Sequence, residues 1–213
     1  MELREELFEA IVAGDAKRAV AVTEMLLAEK ADPAELVTRY MIPAMDEVGR
    51  RFECEDYFVP ELLLSARAMK GALGLLRPLL AASGTEPAGR VVIGTVKGDL
   101  HDIGKNLVAS MLEGGGFEVI DLGADVAPAK FVDAVASSGA GVVCLSALLT
   151  VTMGSMKTTI EALRTAGLRD RVKVLVGGAP VTQSFADEIG ADGYGANASV
   201  AVALARQMVA KAA

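Results

Sequence analysis

The chain of 213 residues has one histidine, two cysteines and no tryptophan. A single histidine excludes any site that needs two imidazoles. Cys54 and Cys144 are too few for a disulfide framework or a cysteine-rich zinc site. No stretch of 18 apolar residues is free of charge, so we expect no membrane-spanning helix and no membrane partner. The acidic N-terminus lacks the apolar run of a signal peptide, so we expect a cytoplasmic protein.

Basic side chains are also scarce: 21 stand against 28 acidic ones, which gives a net charge of −7. This balance disfavours the phosphate backbone of nucleic acids as a partner. Most of the imbalance lies in residues 1–86, which carry a net charge of −6. Runs rich in Val and Ile begin only after the polar segment 83–89. We therefore predict two domains, residues 1–86 and 87–213, joined by that segment as a linker.

The first domain has the composition of a helical protein, with much Leu, Ala, Met, Glu and Arg. Its pattern predicts four helices. Asp15 is a suitable N-cap for the second, and Asp32-Pro33 has the cap and first-turn proline expected at the start of the third. Pro43 falls inside the third helix and should kink it. The short connections predict antiparallel neighbours, hence a four-helix bundle.

The second domain alternates five apolar strands with five helices, an α/β pattern. The strands are continuously apolar, which predicts a parallel sheet buried on both faces. Five such units in this length suit a flavodoxin-like sheet with strand order 2-1-3-4-5, in which the ligand crevice lies at the carboxyl ends of strands one and three. We predict these two strands over Arg90–Val96 and Gly141–Ser146, and the last two helices over Pro180–Ile189 and Ala198–Ala212.

The loop after the first strand, residues 97–106, is polar and contains the only histidine, His101. A phosphate-binding loop is one interpretation of it. However, Gly98 and Gly104 are separated by five residues rather than four, and Asn106 stands where Ser or Thr should bind magnesium. The Gly-x-Gly-x-x-Gly pattern of dinucleotide-binding loops is absent here too.

Two other interpretations of His101 remain open from the residues alone. It could be an ordinary surface histidine, or one satisfied within the protein. It could instead bind a metal through one ring nitrogen while the other donates to Asp99. With one histidine and no nearby cysteine, the protein can supply a single strong axial bond. That suits a metal already held by a macrocycle better than a bare zinc or iron ion.

Three motifs carry a resemblance to a known family. Residues 99–104 resemble the Asp-x-His-x-x-Gly motif of B12-binding domains, residues 146–148 its Ser-x-Leu, and Gly177-Gly178 its glycine pair. All three occur in order and on the predicted elements. Segments of the first domain resemble the helical cap that precedes this domain in methionine synthase and in small corrinoid methyl carriers; they are 41–45, 49–52, 58–62 and 65–69.

The resemblance implies cobalamin bound base-off, with its benzimidazole tail buried in the α/β domain. His101 would be the lower axial ligand of cobalt and thus the metal ligand of the protein. Asp99 would accept the hydrogen bond of the other imidazole nitrogen, and Thr152 would complete this relay.

Further cofactor contacts are implied in the motif loop, the tail channel, the glycine pair, a loop at the corrin edge and the cap. They are Leu100, Asp102, Ile103 and Gly104 in the motif loop; Ser146, Leu148 and Thr150 in the tail channel; the glycine pair Gly177 and Gly178; Tyr194 and Asn197 at the corrin edge; and Phe58 and Leu62 in the cap. Gly104 would let the backbone approach the cofactor, and the glycine pair would leave room for the benzimidazole. For Phe58 and Leu62, packing inside the bundle is the alternative.

The function that the resemblance implies is methyl carriage on the cobalt of methylcobalamin or another corrinoid. A substrate-specific methyltransferase would load the methyl group, and a second methyltransferase would pass it to tetrahydrofolate or a thiol. A reductive activator of oxidised corrinoid would be a third partner, and the chain alone should not turn over substrate. Two alternatives are the cobalamin subunit of an adenosylcobalamin-dependent mutase and a cobalamin-dependent regulator. The cap argues against the first, and the acidic first domain against the second.

Overall fold

The computed structural model describes residues 2–84 and 86–210. Thr85 of the predicted linker and Ala212 of the predicted last helix lie outside this part of the chain. The chain divides into two compact units. The helical unit comprises Met1–Pro87 and Glu113–Gly116, and the α/β unit comprises Ala88–Leu112 and Phe117–Ala213. Within the described residues, no helix has the length and apolar character needed to cross a membrane.

The helical unit is built as predicted from four helical segments over its described residues. α5 packs on α2, while α1 contacts both α2 and α4. Asp15 and Asp32 cap the second and third segments by accepting main-chain N–H bonds from Arg18 and Ala34, each at 3.0 Å. Among the described residues, five α-helices make up these four segments, because α3 and α4 both belong to the third. They are α1 Glu2–Val12, α2 Ala16–Ala28, α3 Pro33–Leu36, α4 Ile42–Glu53 and α5 Val59–Ala82.

Pro43 has a different local effect from a simple kink. The third segment continues through α3, a π-helical turn at Val37–Met41 and α4. The Ile42 N–H bonds to the Val37 carbonyl, five residues back, so the turn is wider than an α-turn. Because proline has no N–H and its ring crowds the carbonyl four residues back, a widened turn just before Pro43 lets the helix continue.

The α/β unit forms a five-stranded parallel sheet in its described residues, in the predicted order 2-1-3-4-5. Its strands are β1 Arg90–Thr95, β2 Glu118–Asp121, β3 Val142–Ser146, β4 Lys173–Gly177 and β5 Gly193–Gly195. The helices that begin in this unit are α6 Ile103–Gly114, α7 Pro128–Ser138, α8 Gly154–Thr165, α9 Gln183–Ile189 and α10 Ala198–Ala210. Helix α9 begins three residues later than predicted, because the Thr182 hydroxyl caps it by accepting the Phe185 N–H at 3.2 Å.

The strand register brings four loops to one edge of the sheet. Thr95 at the end of β1 pairs with Ser146 of β3, Ser146 pairs with Gly177 of β4, and Gly177 pairs with Gly195 of β5. The loops after these strands therefore start side by side. The polar loops after β1 and β3 are neighbours there, at the point where the strand order reverses.

Candidate cofactor site

A buried carboxylate, that of Asp99, joins the loops after β1 and β3. Asp99 has no exposed surface. Its Oδ2 accepts the main-chain N–H groups of Leu148 at 2.8 Å and Leu149 at 3.2 Å, and the Thr152 hydroxyl at 2.7 Å. Its Oδ1 accepts the main-chain N–H of His101 at 3.0 Å. Four donors from two loops thus converge on one side chain.

This environment determines the charge of Asp99. Burial opposes ionisation, but the N–H groups of His101 and Leu148, the Thr152 hydroxyl and the His101 ring together outweigh it. They hold the pKa of Asp99 well below its usual range. Asp99 is therefore an ionised carboxylate at neutral pH, which can only accept hydrogen bonds.

The charge of Asp99 in turn determines the tautomer of His101. The imidazole Nδ1 lies 2.7 Å from Asp99 Oδ1. Since the carboxylate only accepts, Nδ1 carries the hydrogen and donates it. In the neutral ring this leaves the lone pair on Nε2, and half of the side chain is exposed. A histidine held in this way is prepared to bind a metal through Nε2.

Exposed apolar side chains occur next to this histidine in the sequence and in the segment that follows β3. Leu100 is 77%, Ile103 76% and Val151 85% exposed. Large apolar side chains exposed together indicate a surface that a ligand covers. Beside them, a Cβ at Gly104 would meet no atom of the described chain within 4 Å, so the protein interior does not require glycine there.

The residues present fit a corrinoid. A metal held by a macrocycle needs one protein ligand, and His101 Nε2 would supply it. The apolar side chains suit the face of a large ring, and the open space at Gly104 allows close approach of the backbone. In the described part of the chain, no three His, Cys, Asp or Glu side chains are grouped so as to hold a bare metal ion.

Three residues near the motif were not among the predicted contacts. The buried Thr95 donates its hydroxyl to the His101 carbonyl at 2.8 Å. Lys105, in the first turn of α6, is buried and forms a short ion pair with Asp121 at the end of β2. Val151 was not singled out either. A polar residue ending an apolar strand, as Thr95 does, was a usable signal. Nothing local in the sequence shows that Lys105 is buried.

The remaining predicted contacts lie at the same edge with mixed roles. Asp102 accepts the Asn106 side-chain amide at 3.1 Å, and Tyr194 packs partly buried against the apolar core. Asn197 caps α10 by accepting the Val200 N–H at 2.8 Å. Ser146 is partly buried, and Leu148 and Thr150 are exposed. Their contacts with a cofactor stay predictions.

Close backbone contacts explain the glycine pair within the protein, and the room that it would leave for the benzimidazole stays a prediction. A Cβ on Gly178 would lie 1.9 Å from the carbonyl oxygen of Ala147, and Gly178 has a φ of +128°. A Cβ on Gly177 would lie 3.0 Å from the carbonyl oxygen of Gly195. The pair is thus demanded by close approach of protein backbone on both sides, and room for a cofactor is not needed to explain it.

The two predicted residues of the helical unit differ in exposure. Phe58, at the N-cap of α5, is 62% exposed, and its predicted contact with the cofactor stays a prediction. Leu62 is fully buried, the state of a core residue. It presents no surface to a ligand in this structure, so the prediction for Leu62 is corrected to core packing.

Comparison with known proteins points to cobalamin binding. Two family models, each described as a B12 binding domain, match residues 3–77 and 89–203. The chain is 43% identical to a dimethylamine corrinoid protein of Methanosarcina barkeri, with 98% of each chain covered. It is 47% identical to a trimethylamine corrinoid protein of Methanosarcina mazei, covering 89% of this chain and 88% of that protein.

Among solved structures, the methanol:cobalamin methyltransferase complex of Methanosarcina barkeri contains a similar chain. The TM-score is 0.87 at 29% identity, covering 98% of this chain and 80% of that one. The fold and the two family matches define a cobalamin-binding protein. The chain belongs to the B12-binding corrinoid proteins, and its cofactor is a corrinoid.

Proposed function

We propose that this chain is a methyl carrier that binds its corrinoid base-off, with His101 Nε2 as the lower axial ligand. The observation that carries the proposal is the imidazole geometry. Nδ1 donates to the buried, ionised Asp99, and the side chain is half exposed in a loop that also exposes Leu100 and Ile103. When bound, the corrinoid supplies a cobalt centre that can accept and give up a methyl group.

The protein residues prepare His101 for both ligation and release. The ionised Asp99 fixes the Nδ1–H tautomer of the imidazole, so that the lone pair of Nε2 would be available to a metal. Were the ring released from a metal, the Asp99 carboxylate would balance the positive charge of a proton on Nε2. Thr152 and the Leu148 N–H hold the carboxylate in place throughout. Ligation and protonation of Nε2 are therefore alternatives coupled through Asp99.

The proposed partners are a substrate-specific methyltransferase, a second methyltransferase with tetrahydrofolate or a thiol as acceptor, and a reductive activator. The first is supported by the similar chain in the methanol:cobalamin methyltransferase complex and by relatives named for dimethylamine and trimethylamine.

We retain residues 1–86 and 87–213 as the proposed domains. The methyl donor is best found by offering methanol and the methylamines with their cognate methyltransferases and following methyl groups bound per chain.

The axial ligand is tested by reconstituting the untagged protein with hydroxocobalamin and reducing it to Co(II) for electron paramagnetic resonance. Because the chain has one histidine, growth with ¹⁵N-histidine labels that imidazole alone. With unlabelled cobalamin, ligation by His101 predicts a nitrogen doublet in place of the triplet given by ¹⁴N.

The variant His101→Ala should lose the protein nitrogen splitting, and added imidazole should restore a triplet. A triplet from the ¹⁵N-labelled wild type, or a spectrum unchanged in His101→Ala, would show that the benzimidazole or another group is the ligand.

A further inference from the structure

One residue of the loop between β2 and α7, Asp125, has an unusual backbone conformation. Three described residues other than glycine have positive φ: Lys30, Glu55 and Asp125, with Asp125 at 54°. Lys30 and Glu55 each follow the C-cap of a helix, where this conformation is ordinary. Asp125 follows no helix. Its conformation is therefore maintained by other contacts, and such positions are frequently functional.

The contacts of Asp125 are with the loop that carries His101, the proposed axial ligand. Its N–H donates to the Asp99 carbonyl at 2.8 Å. Its Oδ1 accepts the Gly98 N–H at 2.8 Å, and its carboxylate pairs with the Lys97 ammonium at 2.9 Å. The Gly98 N–H and the Lys97 ammonium lower the pKa of Asp125.

These bonds hold the backbone on both sides of Asp99. The Gly98 N–H is part of the peptide that joins residues 97 and 98. The Asp99 carbonyl is part of the peptide that joins residues 99 and 100. The peptide between them is bonded through the Asp99 N–H to the Val96 carbonyl at 3.1 Å. Asp125 thus satisfies two of three consecutive peptide groups around the residue that orients His101.

Asp125 is itself anchored to the sheet. The next residue, Val126, donates its N–H to the Thr95 carbonyl at 3.0 Å and pairs with Val96 in a parallel bridge. A rigid strand end therefore supports the contacts on Gly98 and Asp99.

Building on the proposed axial role of His101, we propose that Asp125 is a positioning residue for that ligand. It holds Asp99 where its carboxylate can direct the imidazole, and the positive φ lets one residue use both its N–H and its carboxylate on the same loop. Asp125 acts through Asp99 and does not itself contact the metal.

The test compares three variants. Asp125→Gly keeps the backbone N–H and tolerates positive φ, but it loses both side-chain contacts. Asp125→Asn keeps an acceptor oxygen and tolerates the same φ, losing only the charge. The matched control is Asp192→Gly. Asp192 directly precedes β5, where its carboxylate accepts the Val174 N–H at 2.8 Å and pairs with Arg169.

The first measurement uses the apo-protein. In untagged, ¹⁵N-histidine-labelled protein, the nuclear magnetic resonance of the single imidazole reports the tautomer of His101 directly. Wild type, Asp125→Asn and Asp192→Gly should show the Nδ1–H tautomer. Asp125→Gly should show a second tautomer or a broadened Nδ1–H signal, and should bind hydroxocobalamin about tenfold more weakly. Asp125→Asn should change this affinity by less than about fivefold, because a surface ion pair contributes little.

Wild-type imidazole signals and wild-type affinity in Asp125→Gly would overturn the proposal, as would equal changes in Asp192→Gly. Should Asp125→Gly not fold, amide exchange of the wild type decides: the Gly98 and Asp125 N–H groups must exchange slowly, and fast exchange overturns the proposal. Failure of the wild type to bind hydroxocobalamin would instead refute the proposed function, and the apo-protein measurement would still stand.

Discussion

The end of β4 and the first turn of α6 both carry a motif glycine, yet these glycines have opposite surroundings. After β4, the glycines are required by the protein itself, since a Cβ on Gly178 would lie 1.9 Å from the Ala147 carbonyl oxygen. After β1, a Cβ on Gly104 would meet no described atom within 4 Å. Gly178 is packed against backbone, whereas Gly104, three residues after His101, faces open space.

A glycine in a sequence motif can therefore have either of two structural roles. One glycine permits two backbone segments to approach each other, and removing it should damage the fold. The other borders a space that the protein does not fill, and removing it should damage ligand binding. A substitution at Gly178 should therefore lower stability, and one at Gly104 should lower cofactor affinity.

The largest effect should come from Gly178→Ala, with Gly104→Ala as its counterpart. Gly178→Ala should lower the free energy of unfolding by at least about 3 kcal/mol, because the methyl group overlaps backbone and the φ is unfavourable. Gly104→Ala should leave the apo-protein as stable or up to about 1 kcal/mol more stable. It should weaken hydroxocobalamin binding about tenfold. Urea unfolding and an absorbance titration measure both, and similar stability losses in the two variants would contradict the contrast.

A smaller effect, dependent on pH, is expected for Asp99→Asn. The pKa of Asp99 is lowered in the folded protein, so its carboxylate stabilises the fold fully above its unfolded pKa of about 4. That contribution is lost as pH falls through the folded pKa. The wild type should exceed Asp99→Asn by about 3 kcal/mol near neutral pH, because the variant leaves buried donors poorly matched. The difference should shrink below about pH 4, as followed by urea unfolding; a difference that grows with acidity would have the wrong sign.

The smallest effect is expected at Thr152, one of several donors to Asp99. Thr152→Val removes the 2.7 Å hydroxyl bond and should lower the free energy of unfolding by about 1 kcal/mol. Hydroxocobalamin affinity should fall less than in Asp99→Asn. Thr152→Ser keeps the hydroxyl and is the matched control for affinity. Equal affinities in the serine and valine variants would mean that the hydroxyl does not contribute to holding the carboxylate.

Much of the fold and the centre of the site could be predicted from local patterns. Continuous apolar runs predicted the parallel strands, and the cap residues Asp15 and Asp32 predicted two helix starts, because burial and capping depend on neighbours in sequence. The pairing of His101 with Asp99 was predictable because the two are only two residues apart. Their motif context then indicated the cofactor.

Other features depended on contacts between distant segments. Asp125 contacts Gly98 from 27 residues further along the chain, and Thr152 contacts Asp99 across 53 residues. Leu62 was predicted to contact the cofactor but is buried. An apolar residue on a helix has the same pattern in either case, and only its neighbours in space distinguish them.

The sequence by itself determined the class of fold, the order of its strands and the residue types of the metal-binding motif. These follow from hydrophobic periodicity and from residues adjacent in the chain. Only the tertiary structure decided the charge of Asp99 and hence the tautomer of His101. The physical reason is that one buried carboxylate is kept ionised by donors from two separate loops, and their convergence depends on the register of β1 beside β3.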